Sequence, residues 1–280
     1  MLILAVVIAA AIFGPWLMPH SASELTANQF ASPSWKHPFG TDLHGQDMLY
    51  RVLSGARVSL AVGISGALIS FFIGTAYGLV AGYNGGKVDG AMMRAVEILY
   101  AVPRLIILLI AINAFDSRMK GWLTSAELWG LVAYSRIVIL VLSLGLIEWL
   151  TMARIVRGQV LALKSQQFVM AARGLGQSHW KILTRHLLPN LVGVVVIYLT
   201  LTVPAVILDE SFLSFLGLGI QAPQASWGSL LADGAQVINP IKSNWWLLVF
   251  PAIAMSATLL ALNFLGDALR DALDPRANRN

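Results

Sequence analysis

Two aspartates on a short turn have the spacing that carboxylate chemistry requires. Asp42 and Asp47 flank the glycine within Gly40-Thr-Asp-Leu-His-Gly-Gln-Asp47, and a pair of carboxylates is one arrangement that supports general acid–base catalysis. The same two residues are also placed to pair with Arg51 or Arg57, which follow in the chain. A polar network at a surface explains this pattern more simply than a catalytic pair does.

Two histidines near this turn raise the question of a metal site. His37 and His44 could act as ligands, but no third ligand is clustered with them in the sequence, and protein zinc sites use at least three protein ligands. The chain has no cysteine, which excludes disulfides, iron–sulfur clusters and thiolate metal sites. We therefore predict that this chain binds no metal.

Serines beside carboxylates suggest a hydrolase. Ser211 and Ser214 follow Asp209 and Glu210, but no histidine is near in sequence to complete a catalytic triad. The chain also has no Gly-x-x-x-x-Gly-Lys-[Ser/Thr] phosphate-binding loop, no His-Glu-x-x-His and no Gly-x-Ser-x-Gly. We predict no catalytic residue, no enzyme activity and no ATP hydrolysis by this chain alone; an intramembrane hydrolase assembled from distant residues is the alternative.

The composition that surrounds these residues is typical of an integral membrane protein. Of 280 residues, 57% are hydrophobic and 12% are charged, about half the charged fraction of a soluble domain, and the mean hydropathy is +0.72. A net charge of +5 would suggest nucleic-acid binding in a soluble protein, but basic loops on the inner side of a membrane explain it here. We predict an all-α membrane protein that does not bind nucleic acid.

Hydrophobic segments predict six membrane-spanning helices. A hydrocarbon core of about 30 Å requires about 20 apolar residues, and six segments approach or exceed that length. No basic residues precede the first one, which argues against a signal peptide; because it begins almost inside the membrane, we expect a short cytoplasmic lead ahead of it. The predicted spans cover residues 1–18, 58–83, 90–115, 136–155, 191–215 and 245–265.

A face of small residues predicts close helix packing in the second span. Gly66, Ser70, Gly74, Gly78 and Gly82 recur at every fourth residue and therefore share one helix face. In lipid, such a face allows a second helix backbone to approach closely. We expect the second span to contact another span along this face.

Charged residues within predicted spans are candidates for a translocation path. Such residues face the protein interior or a water-filled cavity by default. Glu97 and Arg104 are seven residues apart, and in a continuous helix they would share a face about 10 Å apart along the axis. With Asp209 and Glu210, near the outer end of the fifth span, they form our predicted set of path residues.

The longest polar interval between hydrophobic regions covers residues 167–190. Ser165 and Ser178 can each cap a short helix, and Gly174 and Gly176 interrupt the chain between them. Pro189 lies near the expected end of the second helix. The pattern predicts a helix-turn-helix held against the membrane, and a solvated loop with incidental helix is the alternative.

The first helix of this interval offers small side chains beside large apolar ones. Ala171 and Ala172 would let another backbone come close, while Phe168 and Met170 could fill a pocket in it. The order and spacing of Ala171-Ala172, Gly176 and Leu188-Pro189 resemble the Glu-Ala-Ala loop of permeases in binding-protein-dependent ABC importers. Met170 stands where that family usually has Glu.

In that family the loop docks in a groove of the ATPase subunit. His186 is a second departure, since it stands where the family usually has Ile. Because Met170 replaces Glu, we expect an apolar contact at that position in place of an ionic one. Within a coupling loop of about residues 157–190, the resemblance implies ATPase-docking roles for Phe168, Met170, Ala171, Ala172, Gly174, Gly176, Arg185, His186 and Pro189.

Two further segments are similar to one subgroup, the oligopeptide, dipeptide and nickel permeases. Residues 40–47 resemble its Gly-Thr-Asp-x-x-Gly-Arg-Asp motif, with Gln46 in place of the usual Arg. Residues 211–219 resemble its Ser-Phe-Leu-Gly-Leu-Gly segment, and Ser226-Trp-Gly228 matches it as well. The matching positions of the first motif, which this resemblance places in the periplasm, are Gly40, Thr41, Asp42, Gly45 and Asp47.

The resemblance implies a fold and a division of the chain. The fold is the six-helix type I ABC importer permease fold, in the inner membrane of a bacterial cell with both termini in the cytoplasm. A modest excess of lysine and arginine in the inner segments agrees with this orientation. The division is a first helix (1–19), a periplasmic segment (20–57), the transmembrane domain (58–270) and a cytoplasmic tail (271–280).

The resemblance also implies partners and a substrate. The partners are a second permease subunit that forms a heterodimer with this one, two cytoplasmic ATPase subunits, and a periplasmic or lipid-anchored substrate-binding protein. This chain itself binds no cofactor, while ATP and Mg²⁺ bind to the ATPases. The expected substrate is a peptide; nickel chelates, glutathione and opines are alternatives within the family, and a secondary transporter that needs no ATPase is a more distant one.

Overall fold

The computed structural model describes residues 2–18, 23–132, 134–238 and 243–273. Within these residues the chain is helical, and a single β-bridge joins Thr41 to Asp47. Residue 1, the last residue of the predicted first helix (residue 19), and most of the predicted tail 271–280 lie outside them. The helices are α1 (Leu2–Leu17), α2 (Met48–Asn84), α3 (Gly86–Ala101), α4 (Arg104–Ser125), α5 (Trp129–Val132), α6 (Ser135–Lys164), α7 (Gln167–Gly174), α8 (His179–Ile182), α9 (Leu188–Phe215), α10 (Trp227–Val237) and α11 (Trp246–Leu273).

Each of the six predicted spans coincides with helix. In the described part of the chain, α2, α6, α11 and the helical run His179–Phe215 are long and apolar enough to cross a membrane, and α3 with α4 would make a fifth span. The first span is the shorter apolar helix α1. Apart from α1, the helices extend beyond the predicted limits. In particular, α4 covers about half of the interval 116–135 between the third and fourth predicted spans.

The small-residue face of α2 packs as predicted. A Cβ atom added to Gly74 would lie 2.5 Å from the Cβ atom of Met152, and one added to Gly78 would lie 2.5 Å from the carbonyl oxygen of Ala153. Further along the same face, Gly66 meets Val206 on α9. The face therefore divides between two partners, α6 and α9, and neither contact leaves room for a larger residue.

The third predicted span is broken. Val102 is extended (φ −81°, ψ 127°) ahead of Pro103, because a residue that precedes proline is disfavoured in the helical region. The axes of α3 and α4 are therefore bent by 84°. Glu97 lies on α3 and Arg104 begins α4, so the prediction that they share one helix face is wrong.

Pro189 does not end a helix. Residues Leu183–Leu187 form a π-helical segment that joins α8 to α9, and the Leu188 N–H donates to the Leu183 carbonyl. Pro189 lies in the first turn of α9, where its missing N–H is tolerated. The second predicted helix of the 167–190 interval thus continues into the fifth span.

Candidate functional site

The 167–190 segment, which we predicted from its polarity, is fixed to the far end of α2. The hydroxyl of Tyr83 lies 2.6 Å from Nδ1 of His179, and Lys164 Nζ donates to the Tyr83 carbonyl at 2.6 Å. His186 Nε2 lies 2.8 Å from Oε1 of Gln177, which closes the turn. The segment is therefore ordered structure held to the helices, as the helix-turn-helix prediction requires.

Two local features of the segment match the predictions, and one does not. Ser178 caps α8 by accepting a hydrogen bond from the Lys181 N–H, and Gly176, in the left-handed region at φ +71°, forms the turn between the helices. Ser165 does not cap α7. It lies at the end of α6, and its hydroxyl donates to the Ala162 carbonyl, because the helix that precedes it extends further than expected.

The α7 helix divides its side chains between the protein and the surrounding space. Val169 and Ala172 are buried against the core, so the prediction that Ala172 faces outward is wrong. Phe168 and Met170 are 40% and 54% exposed, and Ala171 is exposed as well. The α7 residues that we predicted for docking are thus exposed on one face of the helix only.

Two exposed apolar residues of this segment were not among the predicted docking residues. Leu175 is 81% exposed and Trp180 is 75% exposed. They lie on either side of the Gly176 turn in the sequence, and the same segment also exposes the basic side chains of Arg173 and Arg185. Large apolar residues in an otherwise polar, glycine-containing stretch were the signal that could have identified them.

At the opposite end of α2, residues 40–51 form a polar network. Asp42 Oδ1 accepts hydrogen bonds from the backbone N–H groups of His44 and Gln46, and its Oδ2 accepts one from Arg51 at 3.0 Å. Gln46, at the position where Arg is usual, accepts from Arg51 at 2.8 Å. Arg57 donates instead to two carbonyls of α1, so the predicted network forms with Arg51.

Asp47 begins α2. Its Oδ1 accepts hydrogen bonds from the N–H groups of Leu49 and Tyr50, which are two of the donors that a helix start leaves unpaired. Its Oδ2 lies 2.9 Å from Nδ1 of His37. Both oxygens of this carboxylate are thereby used in holding the fold, and no group of three or more His, Asp or Glu residues suited to a metal is found in the described ranges.

The remaining residues of this motif are also structural. Gly45 has φ +70°, and a Cβ atom there would lie 2.2 Å from the Thr26 carbonyl oxygen. Gly40 has φ +74°. The Thr41 hydroxyl donates to the Asn28 carbonyl at 2.5 Å. The motif therefore folds the chain ahead of α2 onto the start of that helix.

The chain between α9 and α10 is fastened by buried hydrogen bonds. Glu210 is fully buried, and its Oε1 accepts hydrogen bonds from the hydroxyls of Ser214 and Ser226 at 2.6 and 2.7 Å. It lines no open surface in this structure, contrary to its predicted place on a path. The Ser211 hydroxyl donates to the sulfur of Met255, so within the described residues neither serine has the histidine partner that a hydrolase needs.

Arg136 and Trp227 hold the same connection from two other helices. Arg136 donates to the carbonyls of Gly219 and Leu218 at 2.7 and 2.9 Å. Trp227 is 1% exposed, and its indole N–H donates to the Val52 carbonyl at 3.1 Å. The segment thus ties α2, α6 and α9 together.

A polar cavity of about 260 Å³ lies between the 40–51 segment, the connection after α9, and α10. Arg51 and Asp233 line it, with 3.6 Å between Arg51 Nη2 and Asp233 Oδ2. Partial burial raises the pKa of Asp233 above its ordinary value, and the Arg51 charge opposes that shift.

A charged cluster within the spans joins three helices. Arg104, the first residue of α4, donates to Glu148 of α6 at 3.2 Å and to Asp209 of α9. Two of the predicted path residues are thus brought together, whereas Glu97 is exposed on α3 and Glu210 is buried elsewhere. Glu148 was missed as a site residue, although a carboxylate within a predicted span was already a signal for one.

Comparisons with known proteins agree on the kind of molecule. Residues 74–279 match the family described as the binding-protein-dependent transport system inner membrane component. The chain is 44% identical to the dipeptide transport system permease protein DppC of Bacillus subtilis, covering 96% of this chain and 78% of that protein. It is 42% identical to the oligopeptide transport system permease protein OppC of Escherichia coli K12, covering 93% and 77% respectively.

A solved structure has a similar fold. The inward-facing MetNI methionine ABC transporter superimposes with a TM-score of 0.64 over 81% of this chain and 98% of the matched chain. The sequence identity is 16%, so this likeness concerns the arrangement of the helices.

Proposed function

Because this chain belongs to the family of inner-membrane components of binding-protein-dependent transport systems, we propose that it is one of two permease subunits of an ATP-driven importer of short peptides. Membership confirms the family resemblance and, with the MetNI likeness, the all-α fold of an ABC importer permease. The peptide substrate is supported by relatives that are named as dipeptide and oligopeptide permeases and match nearly the whole chain.

The exposed apolar surface of the 167–190 segment is the main support for docking of separate ATPase subunits. Phe168, Met170, Leu175 and Trp180 are large apolar side chains on a basic, ordered segment. The chain has no phosphate-binding loop, so ATP and Mg²⁺ would bind to two partner ATPases that dock here. Exposed apolar patches of this kind mark protein–protein contacts.

Movement at this surface has two physical connections to the spans. One is the helical run from His179 to Phe215, which enters the membrane without a break. The other is Tyr83, which connects His179 to the end of α2. Closure of the ATPases on ATP would turn both helices, open the path outward, and be reset by hydrolysis.

Orientation follows from the same assignment. The 167–190 segment lies in the cytoplasm if it receives the ATPases, and six spans place both termini there as well. The 40–51 segment and the connection after α9 then face the periplasm, where a substrate-binding protein would deliver the peptide. The basic residues near the 167–190 segment favour this orientation.

Reconstitution tests the proposal directly. The chain is assembled in vesicles with its partner permease, the ATPases and the binding protein, and uptake of labelled peptide is measured. Uptake should require ATP and should stop when the ATPases carry a substitution that blocks hydrolysis. Uptake that persists with the inactive ATPases would overturn the importer assignment.

The broken helix α3–α4 also fits a second function, that of a secondary transporter. Discontinuous helices also build the substrate sites of secondary transporters, and the 84° bend beside Arg104 has that form. The same experiment separates the two functions, because a secondary transporter would take up substrate along an ion gradient without ATP. Nickel chelates, glutathione and opines, supplied with their own binding proteins, test the alternatives within the family.

The docking surface has its own test at Gly176. A Cβ atom built there would meet nothing within 4 Å in this chain. We therefore expect the indole of Gly176→Trp to project outward and prevent ATPase docking while the spans remain inserted. The strain of a non-glycine residue at positive φ is about 1–2 kcal/mol. Copurification of the ATPases should be lost; normal copurification and transport would contradict the assignment.

A further inference from the structure

The charged cluster of Arg104, Glu148 and Asp209 has one basic group and two acidic groups. One guanidinium contacts two carboxylates, through Nη1 to Glu148 Oε1 and through Nη2 to Asp209 Oδ1. With all three groups ionised, the net charge is −1. Each carboxylate gives one oxygen to Arg104, and no other hydrogen bond to either side chain is found among the described residues. The cluster therefore has acceptor capacity for a second cation.

The exposure of the three side chains shows from which side a cation could arrive. Those of Glu148 and Asp209 are 13% and 11% exposed, whereas that of Arg104 is 52% exposed. An arginine within the membrane must meet water or protein, since lipid cannot solvate it. The open side of the cluster therefore faces a water-filled space or another subunit.

A cavity next to the cluster indicates that its open side faces a water-filled space rather than another subunit. It measures about 170 Å³, and Arg104, Glu148, Tyr100 and Thr151 line it beside the break at Pro103. Irregular backbone at membrane depth is tolerated where it lines such a cavity. The cavity gives a small polar group direct access to Glu148.

We propose that the Arg104–Glu148–Asp209 cluster holds the α-ammonium group of a peptide during its passage through the permease. This inference rests on the proposed function in peptide import. An ammonium group carries three donors and can bind the free oxygen of Glu148 from the cavity. The Asp209 carboxylate, held by the same Arg104, adds the second negative charge that the ammonium group balances. Every peptide with an unmodified N-terminus has this group, so the subsite accepts peptides of different sequence.

Equilibrium binding to the assembled transporter tests the subsite. The full complex is placed in nanodiscs without the binding protein, and the probes are a labelled tripeptide and its N-acetylated form. A charge-assisted contact of this kind should make the unmodified peptide bind about tenfold more tightly. Glu148→Gln should remove that difference by weakening only the unmodified peptide.

Two further variants separate a charge effect from a structural one. Arg104→Gln raises the net negative charge, so the unmodified peptide should bind at least as tightly as it does to the original protein. Glu24→Gln removes an exposed carboxylate ahead of α2, outside the cluster, and should change neither affinity. Size-exclusion chromatography confirms assembly; if Arg104→Gln does not assemble, Asp209→Asn replaces it, with the result expected for Glu148→Gln.

Three results would overturn the subsite. They are equal binding of acetylated and unmodified peptide, equal weakening of both peptides by Glu148→Gln and Arg104→Gln, and loss of the second permease subunit from Glu148→Gln. The last result would make the cluster a subunit contact. ATP-driven uptake by the original protein, measured beside these assays, tests the proposed function separately: its absence refutes peptide import, and its presence with any of these results refutes the subsite alone.

Discussion

Two tryptophans, each in a segment that resembles a family motif, have opposite surroundings. Trp227 is buried at one end of α2, and its indole N–H donates to the Val52 carbonyl. Trp180 is 75% exposed at the other end, on the segment that is fixed to Tyr83. The first region uses its motif residues to fasten helices to each other, whereas the second exposes apolar residues at the surface where we propose that the ATPase docks. Substitutions should therefore change stability in one region and binding in the other.

The largest effect is expected for Trp227→Ala. Removal of a fully buried aromatic side chain costs about 3–5 kcal/mol of unfolding free energy, and the hydrogen bond from the indole to the Val52 carbonyl would be lost. The purified complex should unfold at a lower temperature, measured as loss of the monodisperse peak on heating. An unchanged unfolding temperature would show that this region does not fasten the helices.

The matched substitution Trp180→Ala should leave the unfolding temperature unchanged and weaken the ATPase contact. A tryptophan at the centre of an interface contributes about 2 kcal/mol, or roughly thirtyfold in Kd. Titration of the ATPases against the reconstituted permease dimer measures this. If Trp180→Ala lowers stability but not affinity, the contrast between the two regions is wrong.

A smaller effect is expected for Asp47→Ala, which removes the cap of α2. Loss of such a cap costs about 1 kcal/mol, so the unfolding temperature should fall slightly while ATPase affinity stays constant. Asp47→Asn keeps an acceptor for the Leu49 and Tyr50 N–H groups but replaces the oxygen that contacts His37, so it separates the loss of the cap from the loss of that contact. A fall in ATPase affinity for Asp47→Ala would mean that the two ends of α2 are not separable.

The smallest effect is expected for Met170→Glu, which introduces the residue that related permeases usually have. Met170 is 54% exposed, so stability should change by less than about 0.5 kcal/mol. An apolar contact at this position predicts that the ATPase binds a few-fold more weakly, and Met170→Leu should keep the affinity. Tighter binding by Met170→Glu would show that the partner's groove is built for a carboxylate.

Sequence patterns were informative where residues act on near neighbours. The four-residue interval between Gly74 and Gly78 predicted a close-packed helix face. Ser178 was recognised as a cap because its partner Lys181 is three residues away. Neither pattern could identify α6 and α9 as the packing partners. The charged cluster could not be predicted from local patterns either, because Arg104 and Asp209 are 105 residues apart in the sequence.

Three prolines show most clearly that local sequence does not determine where a helix breaks. Pro103 separates two helices bent by 84°, whereas Pro204 and Pro251 lie inside continuous helices. All three occur in apolar stretches with similar local propensity. Whether a proline breaks a helix in lipid depends on whether neighbouring groups can satisfy the carbonyl that it leaves free, and those neighbours are distant in sequence.

The uninterrupted helix from His179 to Phe215 has a thermodynamic consequence. It places Trp180 and Asp209 on one rod, roughly 44 Å apart at about 1.5 Å per residue. If ATPase docking at one end changes the affinity of a ligand at the other, that ligand must change the affinity of the ATPase by the same factor. Substrate occupancy and ATPase affinity then become two measurements of a single coupling free energy, and either one can be read from the other.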